Sequence, residues 1–209
     1  MRISEVVLPA ADPQLSARFH GSRYGATRLR FEPGPAVCSH FAVNVAPQRF
    51  EEAVAWARER AELVQADVPF PHWRARAAYF FDPAGNLMEL IARERAPGDE
   101  LMLEVSEVGL PVADVEEAVG FLESELGLPH FSGDRRNFSA VGDDRGLFIL
   151  VPVGRHWLFT EEPAPDAPVR VTIESQGSRS SRTRPRRVLA QGRELVVPGS
   201  GHVVKLGSG

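Results

Sequence analysis

Apolar residues recur along the chain at spacings that predict short strands and a few helices. The clearest helix follows Asp114, an aspartate placed to cap a helix N-terminus. Its apolar face would consist of Val115, Ala118, Val119, Leu122 and Leu126. A second helix is predicted over 50–64, where the apolar face would consist of Phe50, Ala53, Val54, Ala57, Ala61 and Val64.

Strands are predicted on both sides of this second helix. Residues 40–45 (HFAVNV) precede it, and 77–81 and 87–91 follow it as two strands joined by the turn DPAGN at 82–86. Another hairpin is predicted over 137–152, and the last part of the chain carries further strand patterns. Strands and helices at this spacing predict an α+β chain built from repeated small units.

The chain contains an internal repeat. ISEVVLPAAD at 3–12 and VSEVGLPVAD at 105–114 are nearly identical, so that Glu5 corresponds to Glu107. Each segment is an apolar strand pattern that ends at an aspartate able to cap a helix. Because strand, cap and helix occur twice in the same order, the pattern indicates a duplication.

Length and composition fit two small domains. The 209 residues are 43% hydrophobic, enough for two cores of about 100 residues each. Segment 96–103, which contains a Pro-Gly pair, predicts a linker between a domain at 1–95 and a second domain at 104–209. A net charge of −4 argues against a general nucleic-acid or membrane-surface binder. The single cysteine excludes an internal disulfide and no apolar run would span a membrane, so we expect a cytoplasmic protein.

Three motifs resemble the vicinal-oxygen-chelate superfamily, which includes glyoxalase I, the bleomycin-resistance proteins and the extradiol dioxygenases. They are the strand ISEVVLPAAD before a short helix, the strand HFAVNV before a longer helix, and YFFDPAGNLMELIAR, in which a turn precedes a strand that carries a glutamate. The resemblance covers 1–94 and 104–152 and is weak over 169–206. It implies an α+β fold of tandem βαβββ modules that form two half-barrel domains, the second one degenerate.

The resemblance also implies a divalent metal ion (Mn, Fe, Ni, Mg or Zn). Its ligands would come from the first strand of the first module, the first strand of the second module and the last strand. The matching positions here are Glu5, His40 and Glu89, and Glu89 is also the expected catalytic residue. The family usually has His or Gln where this chain has Glu5. Two carboxylates and one imidazole suit a hard or borderline ion. An ion with open positions would act as a Lewis acid on two adjacent oxygens of a substrate.

The remaining candidate residues concern substrate binding. Arg28 and Arg76 are expected near strand faces, where either would meet an anionic group, and Trp73 would cover the pocket from a Pro-rich loop. In the second half of the chain, Lys205 stands where the metal-binding glutamate is expected, so Glu107 is predicted to lack metal-binding partners. The second domain is therefore interpreted as a degenerate partner of the first.

The sequence is compatible with three functions. The leading one is a metal-dependent lyase or dioxygenase that acts on a small molecule with vicinal oxygens. The alternative is a metal-free protein of the bleomycin-resistance type that sequesters a small molecule, and the third is a scaffold without a ligand. None involves nucleic acid or a membrane, and both a monomer and a homodimer fit. The Arg/Ser-rich segment 175–187 has no apolar periodicity and is interpreted as a solvated loop.

Overall fold

The computed structural model describes residues 1–174 and 192–207, where fourteen strands and three α-helices follow one another. The strands are β1 (Arg2–Ala10), β2 (Arg23–Tyr24), β3 (Thr27–Pro33), β4 (His40–Val45), β5 (Leu63–Phe70), β6 (Ala75–Phe81), β7 (Leu87–Arg93), β8 (Met102–Val112), β9 (His130–Gly133), β10 (Ser139–Asp143), β11 (Gly146–Pro152), β12 (Arg170–Glu174), β13 (Glu194–Val196) and β14 (Val203–Leu206). The helices are α1 (Pro13–His20), α2 (Phe50–Arg58) and α3 (Val115–Leu126). In this part of the chain no helix has the length and apolar character needed to cross a membrane. The loop predicted at 175–187 lies outside the described residues.

The strands form two mixed sheets, which together with the helices give the predicted α+β fold. The six-stranded sheet has the order β13-β14-β12-β1-β3-β2, and the eight-stranded sheet has the order β5-β6-β7-β4-β8-β11-β10-β9. Each sheet combines strands from both halves of the chain, since β1–β3 join β12–β14 and β4–β7 join β8–β11. The sheets therefore do not follow the predicted division into one half-barrel from 1–95 and another from 104–209.

The pairing of β4 with β8 accounts for this arrangement. All six residues of β4 are buried, so the strand needs a neighbour along both edges and cover on both faces. β7 lies along one edge in parallel register, and β8 lies along the other in antiparallel register. β1 is flanked in the same way by β3 and β12. The sequence repeat predicts that β1 and β8 are strands. Tertiary packing decides which strands they pair with, β12 for β1 and β4 for β8.

Two helices begin at aspartates, as predicted. The Asp12 side chain accepts hydrogen bonds from the backbone N–H groups of Gln14 and Leu15 in α1. The Asp114 side chain accepts one from the N–H of Glu117 in α3. Each bond satisfies a donor that the first helical turn leaves without a partner. The five apolar residues predicted for the inner face of α3 are buried, which confirms that helix.

The second helix is shorter than its pattern predicts. α2 ends at Arg58, and Leu63 and Val64 begin β5, an edge strand of the eight-stranded sheet. The prediction of helix to residue 64 is wrong because a short apolar pattern fits both periodicities. Pairing of Leu63 with Phe80 of β6 gives this segment its place in the sheet.

Both predicted hairpins are confirmed. β6 and β7 pair around the turn at 82–86, and β10 and β11 pair around a shorter turn at 144–145. β8 begins at Met102, inside the predicted linker 96–103. No pattern in the sequence predicts β9, which pairs with β10 at the sheet edge.

The two faces of the eight-stranded sheet have different surroundings. One face packs against the helices and the six-stranded sheet in a continuous apolar core that includes Phe41 and Val43. The opposite face, called the inner face below, carries His40 and Ala42 and is covered by Trp157. Because side chains alternate along a strand, one strand contributes to both the core and the inner face.

Candidate metal centre

Three ionisable side chains meet on the inner face. His40 of β4, Glu89 of β7 and Glu107 of β8 are buried, and their potential ligand atoms all lie within 4.8 Å of one another. The strand register explains this, because Glu89 and Glu107 lie on either side of Ala42, two residues after His40. Residues two apart on a strand point to the same face. The small side chain of Ala42 therefore leaves a space surrounded by three polar groups.

The His40 ring is held in the tautomer that binds a metal ion. Its Nδ1–H donates to the backbone carbonyl of Leu87 at 3.1 Å, which leaves Nε2 with a lone pair. That Nε2 lies 3.7 Å from Oε2 of Glu89. Burial lowers the pKa of His40 to about 4, so the imidazole is neutral at pH 7. A neutral ring fixed through its other nitrogen is the usual state of a histidine ligand.

The two glutamates disfavour each other's charge. Burial raises the pKa of Glu89 well above its usual value, and the nearby Glu107 raises it further. Arg93 and the hydroxyl of Tyr79 act in the opposite direction on the pKa of Glu89. Burial also raises the pKa of Glu107, against the opposing effect of Arg93. A cation placed between the two carboxylates would lower both pKa values.

Arg93 is a buried cation beside this group. Its guanidinium pairs with Glu107 and donates to the amide oxygen of Asn44 and, at 3.1 Å, to the hydroxyl of Ser106. The ring of Trp73 lies 5.9 Å from it. Two ionised carboxylates and one guanidinium leave one negative charge unbalanced. This balance favours either a proton on one glutamate or a cation between them.

A fourth position of the site is apolar. By strand register, Glu107 in β8 has the place that His40 has in β4. Ile149 in β11 likewise has the place that Glu89 has in β7, and it lines the same cavity. Three of these four register-related positions therefore carry a donor, and the fourth carries a hydrophobic side chain.

This donor set fits a divalent cation. Ligand bonds of about 2.0–2.2 Å put neighbouring donor atoms roughly 3 Å apart, so separations of up to 4.8 Å need only a small contraction. One neutral imidazole and two carboxylates have one histidine fewer than the two-histidine, one-carboxylate set of non-haem iron, and the carboxylates suit manganese. Three protein donors leave open positions on an ion that takes five or six ligands.

The structure separates Glu5 and Arg28 from the three donors. Glu5 lies on β1 of the six-stranded sheet, where its side chain is 26% exposed. Its carboxylate lies 3.9 Å from the guanidinium of Arg28 and 3.8 Å from that of Arg30. Because β8 and not β1 runs beside β4, the third acid of the cluster is Glu107, the repeat counterpart of Glu5.

Arg76, the other predicted anion-binding residue, does not line the cavity either. It pairs with Asp67 at 2.6 Å and with Glu51 at 2.8 Å, and its guanidinium lies 4.2 Å from the ring of Phe50. The arginine that lines the cavity is Arg155, in the loop after β11. Sequence gives no signal for this residue, because its loop has no regular pattern.

Glu107, in contrast, carries a signal in the sequence. The strand EVGLPV opens a module and precedes a helix, as HFAVNV does, and aligning the two places Glu107 on His40. Comparison of Glu107 with Glu5 alone does not reveal this match, because β1 and β8 lie in different sheets.

A cavity of about 290 Å³ begins at the three donors. His40, Glu89 and Glu107 form its polar end, and Trp73 belongs to its wall. The aromatic wall residues are Phe70, Trp73, Tyr79, Phe138 and Trp157. An apolar cavity with a few convergent polar groups is the usual composition of a small-molecule site.

Comparison with known proteins identifies the fold. No family model matches the sequence, and no curated protein matches it either. Among solved structures, glyoxalase I from Zea mays aligns over 82% of this chain and 74% of its own, with a TM-score of 0.56 and 15% identity. A Bacillus subtilis protein provisionally described as a dioxygenase aligns over 83% of this chain and 70% of its own, with a TM-score of 0.56 and 14% identity. At these identities the similarity shows a shared fold.

Proposed function

We propose that this chain, which has the fold of the vicinal-oxygen-chelate superfamily, is a divalent-metal-dependent enzyme that acts on a small molecule with two adjacent oxygens. The observation that carries the proposal is the convergence of His40, Glu89 and Glu107 at the buried end of an aromatic cavity. Isomerisation, lyase chemistry and oxygen insertion on this fold share one first step, which is chelation of the substrate. Chelation of the substrate is therefore the step assigned to this chain.

Each side chain of the site has a defined role in binding the ion or the substrate. Nε2 of His40 and one oxygen each of Glu89 and Glu107 would hold the ion, which when bound supplies a Lewis acid for the substrate oxygens. Ile149 offers no donor at the fourth position and so leaves coordination places for the substrate. The aromatic walls keep bulk water from the donors, which strengthens their electrostatic interactions.

The two glutamates differ in how their charged forms are stabilised before an ion binds. Arg93 pairs with Glu107 and favours its charged form. Glu89 has no cation of its own, and burial raises its pKa well above the usual value, which favours its protonated form. Binding of a metal ion would therefore release a proton from Glu89, and the affinity for the ion should rise with pH.

Metal binding by protein purified without an affinity-tag metal tests the proposal. Elemental analysis and calorimetric titration with Mn²⁺ or Zn²⁺ should give one ion per chain. Glu89→Gln and Glu107→Gln should each weaken binding by about 100-fold or more, since even partners outside the ligand shell cost about 10- to 100-fold. Glu5→Gln is the matched control, because Glu5 is the repeat counterpart of Glu107 on the other sheet.

Two results would reject the metal centre. One is the absence of any stoichiometric or saturable metal binding by the wild-type protein. The other is a loss of affinity in Glu5→Gln as large as that in Glu107→Gln.

A second candidate function is metal-free sequestration of a small molecule, as in the bleomycin-resistance proteins. Arg93 favours it, because its guanidinium already compensates Glu107 without any ion. In that case a ligand of the cavity should bind with the same affinity in the presence of Mn²⁺ and of a chelator. Quenching of tryptophan fluorescence measures this directly, since Trp73 and Trp157 line the cavity.

A further inference from the structure

Trp157 is a fixed wall of the cavity next to the three donors. Its indole N–H donates to the backbone carbonyl of Cys38 at 2.8 Å, and its ring lies 5.2 Å from that of His40. Gly109 permits this position, because a Cβ there would lie 2.7 Å from the Trp157 ring. The indole is therefore held in place without a ligand.

Trp73 belongs to a second aromatic group of the wall. Its ring packs edge-to-face on Phe131 at 5.4 Å and lies 6.4 Å from Phe138 and 6.3 Å from Phe70. These neighbours fix the orientation of the indole. Flat aromatic walls favour a planar aromatic ligand, because stacked and edge-to-face ring contacts add to the burial of apolar surface.

The size of the cavity limits the ligand. A volume of about 290 Å³ is close to the lower limit of small-molecule pockets, about 300 Å³, and suits one ring or two fused rings. Leu158 lines the cavity although its side chain is 43% exposed. A ring that fills the cavity would cover this apolar surface.

Arg155 supplies a cation at the partly exposed side of the cavity. In the part of the chain that the structure describes, no carboxylate lies within 4 Å of its guanidinium, and the nearby acid Glu161 faces His156 at 3.4 Å. Arg76 and Arg93, by contrast, are each paired with acids. A guanidinium without a carboxylate partner on a cavity wall is suited to a carboxylate or phosphate group, which it binds through two parallel hydrogen bonds.

The charges of the cavity orient such a ligand. At the buried end Arg93 is already paired with Glu107 and is not free for an anion, whereas Arg155 at the partly exposed side attracts one. A ligand with neutral oxygens at one end and an anionic group at the other would satisfy both ends.

We infer that the cavity binds a planar aromatic molecule with an anionic substituent, and that Arg155 recognises the anion. The inference rests on the proposed function only in taking the cavity as the ligand site, and it does not depend on a bound metal. It adds to the two adjacent oxygens an aromatic ring against the cavity wall and a negative charge beside Arg155.

Three matched probes test the ring and the charge separately. They are 3,4-dihydroxybenzoate, the neutral 3,4-dihydroxybenzyl alcohol and the saturated 3,4-dihydroxycyclohexanecarboxylate, each titrated calorimetrically with Mn²⁺ and with chelator. In the wild-type protein the aromatic acid should bind about 10- to 100-fold more tightly than the alcohol, as expected for a charge-assisted pair. It should bind about 3- to 10-fold more tightly than the saturated acid, in line with the extra attraction between aromatic rings.

Variants assign these preferences to residues. Arg155→Gln should remove the preference for the acid over the alcohol and leave the affinity for the alcohol unchanged. Trp73→Leu should remove the preference for the aromatic over the saturated acid while keeping apolar bulk. Arg58→Gln, at an exposed arginine at the end of α2, is the control and should change neither.

The inference is overturned if no probe binds, if the alcohol binds as tightly as the acid, or if Arg155→Gln weakens both equally. Failure of the metal centre gives a different result. In that case Mn²⁺ does not bind, while the aromatic acid still binds in chelator and still depends on Arg155.

Discussion

Glu89 is the residue of the inner face whose charge has the fewest partners. Nε2 of the neutral His40 presents a lone pair 3.7 Å away, and Glu107 is itself acidic. Arg93, which is shared with Glu107, does most to lower the pKa of Glu89, and the Tyr79 hydroxyl lowers it less. A buried carboxylate in these surroundings takes up a proton or binds a cation.

We predict that Glu89→Gln stabilises the metal-free protein at neutral and alkaline pH. The pKa of Glu89 is raised in the folded protein above the ordinary value of 4.5. Between these two pKa values the folded state holds more protons than the unfolded state, so the free energy of unfolding falls as pH rises. Glutamine does not titrate, so the variant should gain about 1.4 kcal/mol for each unit by which the pKa is raised. Urea unfolding from pH 5 to 9 measures this.

His40 has the opposite effect on stability and must be separated from Glu89. Burial lowers the pKa of His40 to about 4 from 6.5, so the unfolded state holds the extra proton between these values. Stability therefore rises with pH in that interval. The difference between wild type and Glu89→Gln at each pH cancels this contribution, because both proteins contain His40. A difference that stays constant from pH 5 to 9 would contradict the prediction.

Single residues of the site differ in how far the sequence predicts them. His40 opens the apolar strand HFAVNV, and Glu89 interrupts the apolar run LMELI. The structure brings these two residues together. Arg155 lies in a loop without a regular pattern, and Glu107 is recognised only when its strand is aligned with that of His40 and not with that of Glu5. Glu5 on β1 and Arg28 on β3 lie in the other sheet, a placement that likewise depends on strand pairing.

At the scale of elements, the turn DPAGN joins the β6–β7 hairpin to α1. The Asp82 carboxylate accepts hydrogen bonds from the N–H groups of Ala84 and Asn86 and from the Asn86 side chain, at 2.8 to 2.9 Å. It also faces Nε2 of His20 at 2.8 Å, while Nδ1 of His20 faces the Tyr24 hydroxyl at 2.8 Å. One buried aspartate therefore fixes the turn that precedes β7 and its Glu89.

We predict that Asp82→Ala destabilises the protein by about 3 kcal/mol or more, because it leaves several buried donors without an acceptor. Asp134→Ala is the matched control. Asp134 accepts the same kind of bonds from Arg136, Asn137 and Phe138, but at the exposed surface, where water replaces the lost acceptor. Its cost should be about 1 kcal/mol. Equal losses of unfolding free energy in urea would show that the buried network contributes nothing beyond the turn.

Elements with strong local signals are the ones the sequence predicts best. α3 has a capping aspartate and five apolar residues at helical spacing, and the structure confirms it. The end of α2 has no such signal: Val64 fits a helical face, yet it belongs to β5 because β6 offers it a partner strand. Element ends and edge strands such as β9 are therefore decided by neighbours in space.

At the scale of the whole molecule, the repeat predicts similar modules but not their partners. Residues 3–12 and 105–114 are nearly identical in sequence, yet β1 and β8 are central strands of different sheets. A tandem arrangement would pair β1 with β4, whereas the structure pairs β1 with β12 and β4 with β8. Local pattern cannot distinguish these arrangements, because each would bury the same apolar faces.

We predict that neither 1–97 nor 98–209 folds as an isolated fragment. The first fragment lacks β8 and β12, so β4 and β1 would each expose an unpaired apolar edge, and the second fragment lacks β1 and β4. Each fragment alone should show no cooperative unfolding transition by circular dichroism. Mixing the two at high concentration should restore one, because the pairs β1–β12 and β4–β8 each join the two fragments. The donors His40 and Glu89 lie in one fragment and Glu107 in the other, so metal binding should also return only on mixing. Cooperative unfolding of 1–97 alone would instead support two independent half-barrels.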